Sequence, residues 1–248
     1  MTQSHTTTVK DKSHEWTVIN WPKMERFVSR AQARIARAAQ NSDWKKVTEL
    51  QRMIVKSFAA KVIAVRDVTS SRGARTPGVD GKIWDTPEKK MAGALSLTKK
   101  NYQPKPLRRI YIDKGKGDGS KRPLGIPTIR DRAMQKLYAL ALDPVAEATA
   151  DKRSFGFRKG RSTKDAEEYI FIAMSGNYKA QWVLEADIKG FFDHISHPWM
   201  LDNIPMDKEI LRKFLKAGFV DGNHLYPTEE EGRTNLSWLR FPPELVTI

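Results

Sequence analysis

Residues 182–197 read WVLEADIKGFFDHISH, in which an apolar run is followed by two aspartates. Apolar residues from Trp182 to Leu184 run into Asp187, and a second aspartate follows at Asp193. The run predicts a strand over QWVLEADI. An ionised carboxylate is costly to bury unpaired, but the end of a strand can place one in a cleft. Asp187 is therefore a candidate metal ligand.

The candidate metal is magnesium. Mg²⁺ prefers oxygen ligands and is usually held by one or two carboxylates together with substrate phosphates. Polymerases use two such ions, one at the attacking hydroxyl and one at the leaving oxygen. The aspartate spacing alone is weak support, because an acid after a strand is more often a turn residue or a helix cap.

The positive charge of the chain is concentrated in two segments. Lys and Arg number 44 against 29 Asp and Glu, a net charge of +15. Residues 97–132 carry eleven Lys or Arg and three Asp, and residues 152–164 carry six Lys or Arg and no acid. Clustered positive charge indicates a polyanionic partner. The alternative is a basic protein whose charge serves only solubility.

Composition excludes several classes of protein. The 248 residues contain no cysteine, so disulfides, thiolate zinc sites and cysteine nucleophiles are excluded. The N-terminus lacks the apolar core of a signal peptide, and no apolar run reaches the length of about 18 residues that marks a membrane span. A soluble, cytoplasmic protein without a membrane partner is expected.

The first third of the chain is predicted to be helical. Apolar spacing predicts a helix from Trp21 and a second one that follows an N-cap at Ser42 and runs to Phe58. Residues 70–81, rich in Gly and Ser, predict a loop, and residues 87–97 predict a short helix.

The middle of the chain predicts a basic β-hairpin. RRIYI at 108–112 reads as a strand, KGKGDGSK at 114–121 as a turn and RPLGIP at 122–127 as the return. Further helices are expected over 131–149, 164–174, 197–204 and 207–219, with a glycine-bearing loop over 154–163. This alternation of helices and strands predicts a mixed α/β or α+β fold.

Both basic segments are candidate phosphate-binding elements. On the hairpin, Lys114, Lys121 and Arg122 can clamp a triphosphate or follow a nucleic-acid backbone. A flexible solvated turn is the alternative, and it is favoured for Lys116. In SFGFRKGRS, at 154–162, aromatic residues alternate with cations, so that rings can stack on bases while cations meet phosphates.

Taken in order, these segments resemble the opening blocks of group II intron-encoded reverse transcriptases. The resemblance rests on RPLGIP, GFRKGRS and ADIKGFFD at these separations, and on TPGVDG at 76–81. The helical stretch 22–57 is similar to the N-terminal domain common in that family. The likeness covers roughly residues 15–230.

The resemblance implies an α+β chain with a helical N-terminal domain, followed by the fingers and a partial palm of a right-hand polymerase. The implied boundaries are a tail over 1–15, the N-terminal domain over 16–68, fingers over 69–175, the start of a palm over 176–231 and a divergent tail over 232–248.

The resemblance also implies roles for individual residues. Asp187 would be the first metal-binding aspartate of the palm, and the backbone carbonyl of Ile188 would bind the same metal. Phe192 would lie under the sugar and exclude a 2′-OH. Lys114 and Arg122 would grip the incoming triphosphate.

Arg158, with Lys159 and Arg161, would bind template or primer. Asp193 stays outside the implied metal ligands, since it can cap the helix that starts near His197. Asp113 stands where the family often has proline.

One half of the implied metal site has no counterpart in these residues. The family's other metal carboxylates form an adjacent aspartate pair, and the 248 residues contain no Asp-Asp. The family's Gly-x-Pro-Gln-Gly-Gly loop should begin near Glu231, where the resemblance stops. A frameshift, a rearranged gene and one half of a split gene all fit this pattern. A truncated form that is inactive alone is expected.

The expected function is that of an RNA-directed DNA polymerase, a nucleotidyltransferase of a retroelement. Its complete form would use two Mg²⁺ ions, an RNA template or intron RNA, a DNA primer and dNTPs. A second chain that supplies the rest of the palm and the thumb is one possible partner. The alternatives are an RNA-binding, maturase-like module without catalysis and a decayed remnant.

Overall fold

The computed structural model describes residues 14–115, 117, 119–176, 181–187 and 195–228. The helices are α1 (Trp21–Gln40), α2 (Trp44–Lys56), α3 (Phe58–Thr69), α4 (Pro87–Ser96), α5 (Ile129–Thr149), α6 (Thr163–Met174), α7 (His197–Asn203) and α8 (Lys208–Leu215). The strands are β1 (Leu107–Asp113), β2 (Lys121–Ile126), β3 (Phe219–Asp221) and β4 (His224–Tyr226). A helical N-terminal part followed by mixed helix and sheet confirms the predicted α+β class.

The core lies among the helices and is centred on α5. This helix packs against α1, α2 and α3, and most of its residues are buried. The amphipathic α1 turns Val28, Ala31 and Ile35 inward. Burying a valine or isoleucine side chain stabilises the fold by roughly 1.5–3 kcal/mol, and the alanine methyl contributes less. The helices α1–α5 therefore form the packed core that supports the sheet and the loops of the molecule.

Several helix boundaries differ from the predicted ones, and the helix predicted over 207–219 ends at Leu215, before Phe219 begins β3. Asp43, not Ser42, caps α2, and its Oδ1 accepts a hydrogen bond from the Lys46 amide at 2.9 Å. The predicted run to Phe58 is broken at Ser57, which ends α2 in extended geometry and caps α3 through the Ala60 amide at 3.2 Å. A serine hydroxyl that satisfies an unpaired amide starts a new helix even where apolar spacing continues.

The sheet has the strand order β2-β1-β3-β4. The strands β1 and β2 form the predicted antiparallel hairpin, and β3 and β4 form a second antiparallel pair. β1 pairs in parallel with β3 through Leu107↔Phe219 and Arg108↔Val220. Sequence patterns missed β3 and β4, because three residues are too few to show alternation.

The predicted strand QWVLEADI is wrong over the residues that the structure describes. Residues 181–187 lie in no strand, and Trp182 and Leu184 are 92% and 91% exposed. A strand needs a neighbour to bond its amide and carbonyl groups. No described strand pairs with this segment. Ile188 lies outside the described residues.

The helix after this segment is also capped differently from the expected way. Ser196 caps α7, and its hydroxyl accepts a hydrogen bond from the Trp199 amide at 3.3 Å. Asp193, the other candidate cap, lies outside the described residues. None of the described helices is long and apolar enough to cross a membrane.

Candidate nucleic-acid interface

The hairpin register places Lys114 and Arg122 on one face of the ribbon. Arg122 lies opposite Ile112, and the Lys114 amide donates to the Ser120 carbonyl at 2.9 Å. Side chains on a strand alternate between faces, and directly opposed residues share a face. Lys114 follows Ile112 by two residues, so both cations project from the same side. Both are exposed, and neither forms an ion pair with a described residue.

Lys121 belongs to the opposite face of the hairpin. It lies opposite Asp113, whose carboxylate accepts a hydrogen bond from the Gly115 amide at 2.7 Å. Gly115 and Gly119 have φ values of +69° and +70°, which favour glycine and keep the tip narrow. Lys116 lies outside the described residues.

The face that carries Lys121 is tied to β3. The Arg109 guanidinium lies 3.5 Å from the centre of the Phe219 ring, and the Tyr111 hydroxyl donates to Asp221. Cation–π contacts of this kind contribute about 0.5–1 kcal/mol at exposed sites. This attachment orients the hairpin, with Lys114 and Arg122 on the opposite face of the sheet from these two contacts.

The loop 70–81 is anchored beside the base of the hairpin. Arg132 donates to the carbonyls of Gly73 and Thr76 at 2.7 Å each, and Arg108 donates to the Pro77 carbonyl at 3.1 Å. At Gly78, an added Cβ would lie 2.7 Å from the Thr128 backbone. The sequence predicted the loop but not these hydrogen bonds. Every residue has a backbone carbonyl, and the sequence does not show which carbonyls accept a hydrogen bond from a distant arginine.

A buried carboxylate joins the approach to β1 with the start of α5. Asp131 is 3% exposed and accepts hydrogen bonds from Tyr102 at 2.7 Å, Thr128 at 2.6 Å and the Lys105 amide at 3.1 Å. Burial raises the pKa of Asp131, although these hydrogen bonds oppose the rise. The network fixes the chain just before the hairpin.

Arg158 ties the basic loop 151–162 together from the inside. Its guanidinium donates to both Glu147 carboxylate oxygens, at 3.0 and 2.6 Å, and to the carbonyls of Asp151 and Ser154 at 2.5 and 2.9 Å. The side chain is only 4% exposed. The hydrogen bond from Arg158 is the main cause that lowers the pKa of Glu147. In the structure, Arg158 thus connects the end of α5 with the backbone of the loop, and its expected contact with template or primer remains a prediction.

The outer surface of this loop carries the exposed cations. Lys159 pairs with Asp143, and Arg161 lies 3.4 Å from Glu147. Both pairs are on the surface, where such contacts contribute about 0–1 kcal/mol. A phosphate can therefore compete for either cation.

Phe157 is a candidate contact residue that the sequence did not single out individually. Its ring is 63% exposed and its φ is +60°, a conformation that non-glycine residues seldom adopt. A cavity of about 190 Å³ lies between the loop and α5 and is lined by Phe157, Pro144 and Lys159 among others. An exposed ring beside cations suits stacking on a base.

Asp187 is the only residue of the expected metal site that the structure describes. It is exposed, in irregular chain. Ile188 and Phe192 lie outside the described residues. No group of three His, Asp or Glu side chains in the described ranges is close enough to share a metal ion.

Two models of protein families match the chain. The N-terminal domain of reverse transcriptase matches residues 16–97. Reverse transcriptase (RNA-dependent DNA polymerase) matches residues 112–235, half of the chain. The two matches follow one another in the order expected from the motifs.

Curated proteins give the same result. The chain is 32% identical over 209 residues to Protein YkfC of Escherichia coli K12, covering 79% of this chain and 54% of that protein. It is 32% identical over 203 residues to Group II intron-encoded protein LtrA of Lactococcus lactis, covering 79% of this chain and 33% of that protein. Maturase-like protein 1 of Euglena gracilis is 28% identical over 210 residues, 80% of this chain and 45% of that protein.

The chain thus spans between a third and about half of the length of these relatives. Across that span, the matched domains agree with the helical N-terminal part and the mixed region that follows it. The predicted resemblance is confirmed: the chain belongs to the reverse transcriptase family, and the curated proteins similar to it include a group II intron-encoded protein and a maturase-like protein.

Proposed function

We propose that this chain forms the nucleotide- and template-binding part of an RNA-directed DNA polymerase of the group II intron type. In this proposal residues 16–68 are the N-terminal domain, 69–175 are fingers and 176–231 begin the palm. The substrates are an RNA template, a DNA primer and dNTPs. The observation that carries the proposal is the shared, exposed face of Lys114 and Arg122 on a hairpin anchored at its base.

Lys114 and Arg122 would grip the incoming triphosphate. Hydrogen bonds from a guanidinium or an ammonium to phosphate are short and roughly twice as strong as neutral ones. The glycine-bearing tip allows close approach of the backbone. Because the opposite face is attached to β3, the two cations would meet the ligand in one orientation.

The loop 151–162 would bind the template or primer strand. Lys159 and Arg161 are exposed and supply charge, and Phe157 supplies a ring for stacking. Arg158 would act indirectly, since its hydrogen bonds to Glu147 and to two carbonyls shape the loop.

Magnesium would be bound by Asp187 and the Ile188 carbonyl, with Phe192 under the sugar. When bound, Mg²⁺ neutralises phosphate charge and activates the attacking hydroxyl. Further carboxylates would have to come from outside the described residues or from a second chain.

Arg122 and Lys121 provide the experiment that tests the proposal. They are adjacent on β2 but project from opposite faces. Crosslinking of a photoreactive dNTP to the 248-residue protein, with template and primer bound, should fall about tenfold in Arg122→Ala, since a charge-assisted contact is lost. Lys121→Ala should change it little. Equal losses of crosslinking in both variants would refute the proposed contact of Arg122 with the triphosphate. A loss of RNA affinity in Arg122→Ala as large as its loss of crosslinking would refute it as well.

The second candidate is an RNA-binding, maturase-like module without its own catalysis. It is favoured by the two basic segments, residues 97–132 and 152–164. On this candidate, RNA affinity falls steeply with salt, by roughly 0.7 log units per log unit of salt for each phosphate contact. Affinity that does not change with salt would contradict both candidates.

Primer extension separates the two candidates. The 248-residue protein with Mg²⁺, dNTPs and a primed RNA template is expected to show no extension above background, because two-metal chemistry needs carboxylates from more than one segment. Extension that Asp187→Ala abolishes would show that these residues contain a complete site and would favour the enzyme.

A further inference from the structure

A large cavity lies away from the hairpin and the basic loop. Its volume is about 740 Å³, and it opens between α2, the start of α3, the segment after α4, α5 and the turn before α8. Binding cavities for small ligands are commonly about 300–1,000 Å³. No residue of the hairpin, of loop 151–162 or of 181–187 lines it.

The floor of this cavity is apolar. It is formed by side chains of α2, α5 and their neighbours: Val55, Leu97, Met134, Leu137, Ala141 and Met206. A floor of this kind suits a planar ring or a hydrocarbon, and it offers no hydrogen-bond donor or positive charge to a free inorganic anion.

The rim of the cavity carries an excess of positive charge. Its two acids are already paired, because Lys99 lies 2.6 Å from Asp207 and 2.9 Å from Glu209. The Lys208 ammonium donates to the Ile204 carbonyl at 2.7 Å. Four other cations line the cavity and form no ion pair with any residue in the described ranges: Arg52, Lys56, Lys61 and Lys100.

Lys61 and Tyr138 are polar groups placed to meet a ligand. Lys61 is half-buried, and burial lowers its pKa without an acidic neighbour to oppose the effect. Tyr138 is 6% exposed and lines the cavity, and its hydroxyl bonds to no residue in the described ranges. Burial, with the charges of Asp207 and Glu209, raises the pKa of Tyr138, so its hydroxyl remains a proton donor.

We infer that this cavity binds a nucleotide, with the base on the apolar floor and the phosphate at the cationic rim. A base offers ring nitrogen and carbonyl acceptors to the Tyr138 hydroxyl that lines the cavity, whereas an aliphatic chain on the apolar floor offers it none. The phosphate would offset the charge of Lys61 and its neighbours. This site is separate from the proposed dNTP grip and requires neither Asp187 nor magnesium.

The nucleotide has two possible sources with the same chemistry. It is either a free nucleoside monophosphate or one unpaired nucleotide of an RNA strand. AMP, adenosine and two short RNA hairpins, one fully paired and one with a single bulged adenosine, distinguish them by calorimetric titration of the 248-residue protein.

Three variants test the site. Lys61→Gln removes a rim charge, Tyr138→Phe removes only the hydroxyl, and Lys45→Gln is the control, because Lys45 is an exposed cation of α2 that does not line the cavity. The affinity of the ligand should fall about tenfold in Lys61→Gln and severalfold in Tyr138→Phe, as expected for a lost charged and a lost neutral hydrogen bond. Lys45→Gln should retain the affinity of the parent protein.

Each outcome decides the inference. Tight binding of AMP, weaker binding of adenosine and the stated losses support the site with a free nucleotide as ligand. Preference for the bulged hairpin, with the same losses and no AMP binding, supports it with RNA as the source. Adenosine that binds as tightly as AMP, or affinities that neither Lys61→Gln nor Tyr138→Phe lowers in proteins with unchanged melting temperatures, would overturn it.

Discussion

Most apolar side chains of the helices α1–α5 are buried, whereas those in residues 181–187, beside the candidate metal ligand Asp187, are exposed. In the helices, Ile35 and Ile54 are fully buried. Trp182 and Leu184, beside Asp187, are more than nine-tenths exposed. All four are strongly apolar, so composition does not distinguish them. The presence of a packing partner does, and the difference shows that apolar patterns predict a core only where the fold supplies a second surface.

Charged residues show the same contrast within a single loop. Arg158 is 4% exposed and bonded on all sides, whereas Lys159, the next residue, is 57% exposed at its side chain. Arg158 is enclosed by acceptors of the loop and α5, whereas Lys159 lies on the surface and pairs with Asp143. A cation in a basic motif is therefore structural or functional according to the acceptors that the fold brings to it.

The largest expected effect compares two isoleucines in helices. Ile35→Ala should lower the free energy of unfolding by about 3 kcal/mol, because it leaves a cavity in a filled core. Ile172→Ala, at a site on α6 that is 62% exposed, should change it by less than about 0.5 kcal/mol. Urea denaturation of both variants measures the difference. Similar losses of unfolding free energy in the two variants would mean that Ile172 on α6 is packed in solution. They would contradict the contrast between buried and exposed apolar residues.

A smaller effect is expected from substitutions of the adjacent cations Arg158 and Lys159. Arg158→Ala should destabilise the loop 151–162 by about 2 kcal/mol, the value of hydrogen bonds to a charged group. Lys159→Ala should cost no more than about 0.5 kcal/mol, as for other surface pairs. Hydrogen exchange of the loop amides reports both. Faster exchange in Lys159→Ala than in Arg158→Ala would reverse the assigned roles.

The N-terminus of α2 gives the next prediction. Asp43→Ala should cost about 1 kcal/mol, because the Lys46 amide loses its acceptor. Ser42→Ala should be close to neutral, since Ser42 caps nothing. Thermal unfolding compares the two, and a larger loss in Ser42→Ala would restore the cap predicted from sequence.

The smallest expected effect is the loss of stability of the loop 151–162 at acid pH. Arg158 lowers the pKa of Glu147 from its ordinary value of 4.5, so the stabilisation from this pair is present above pH 4.5 and is lost as pH falls through the lowered pKa. Exchange of the amides in loop 151–162 should therefore accelerate below about pH 4.5, relative to the helices α1–α5. Glu147→Gln should remove this pH dependence. A profile that is the same in both proteins would exclude the pair as its cause.

The sequence predicted the parts of the molecule that depend on near neighbours. The helix from Trp21, the loop 70–81 and the hairpin with its glycine tip are confirmed, since periodic apolar residues and turn residues act over a few positions. The family was also evident, because ordered motifs are a property of the sequence itself. The roles assigned to Asp187, Lys114 and Arg122 remain predictions, although the register does put the two cations on one face.

Only the tertiary structure decided which residues have partners. It showed that Arg158 faces Glu147, that Arg132 holds loop 70–81, and that β3 joins β1 across more than a hundred residues. It also showed that no described strand pairs with 181–187. Hydrogen bonds and packing between distant segments depend on the whole fold, whereas local patterns record only what each segment can form. The sequence thus predicted most of the helices, the hairpin and the family, whereas the tertiary structure showed which cations are buried among acceptors and which are exposed, because only the whole fold brings distant groups together.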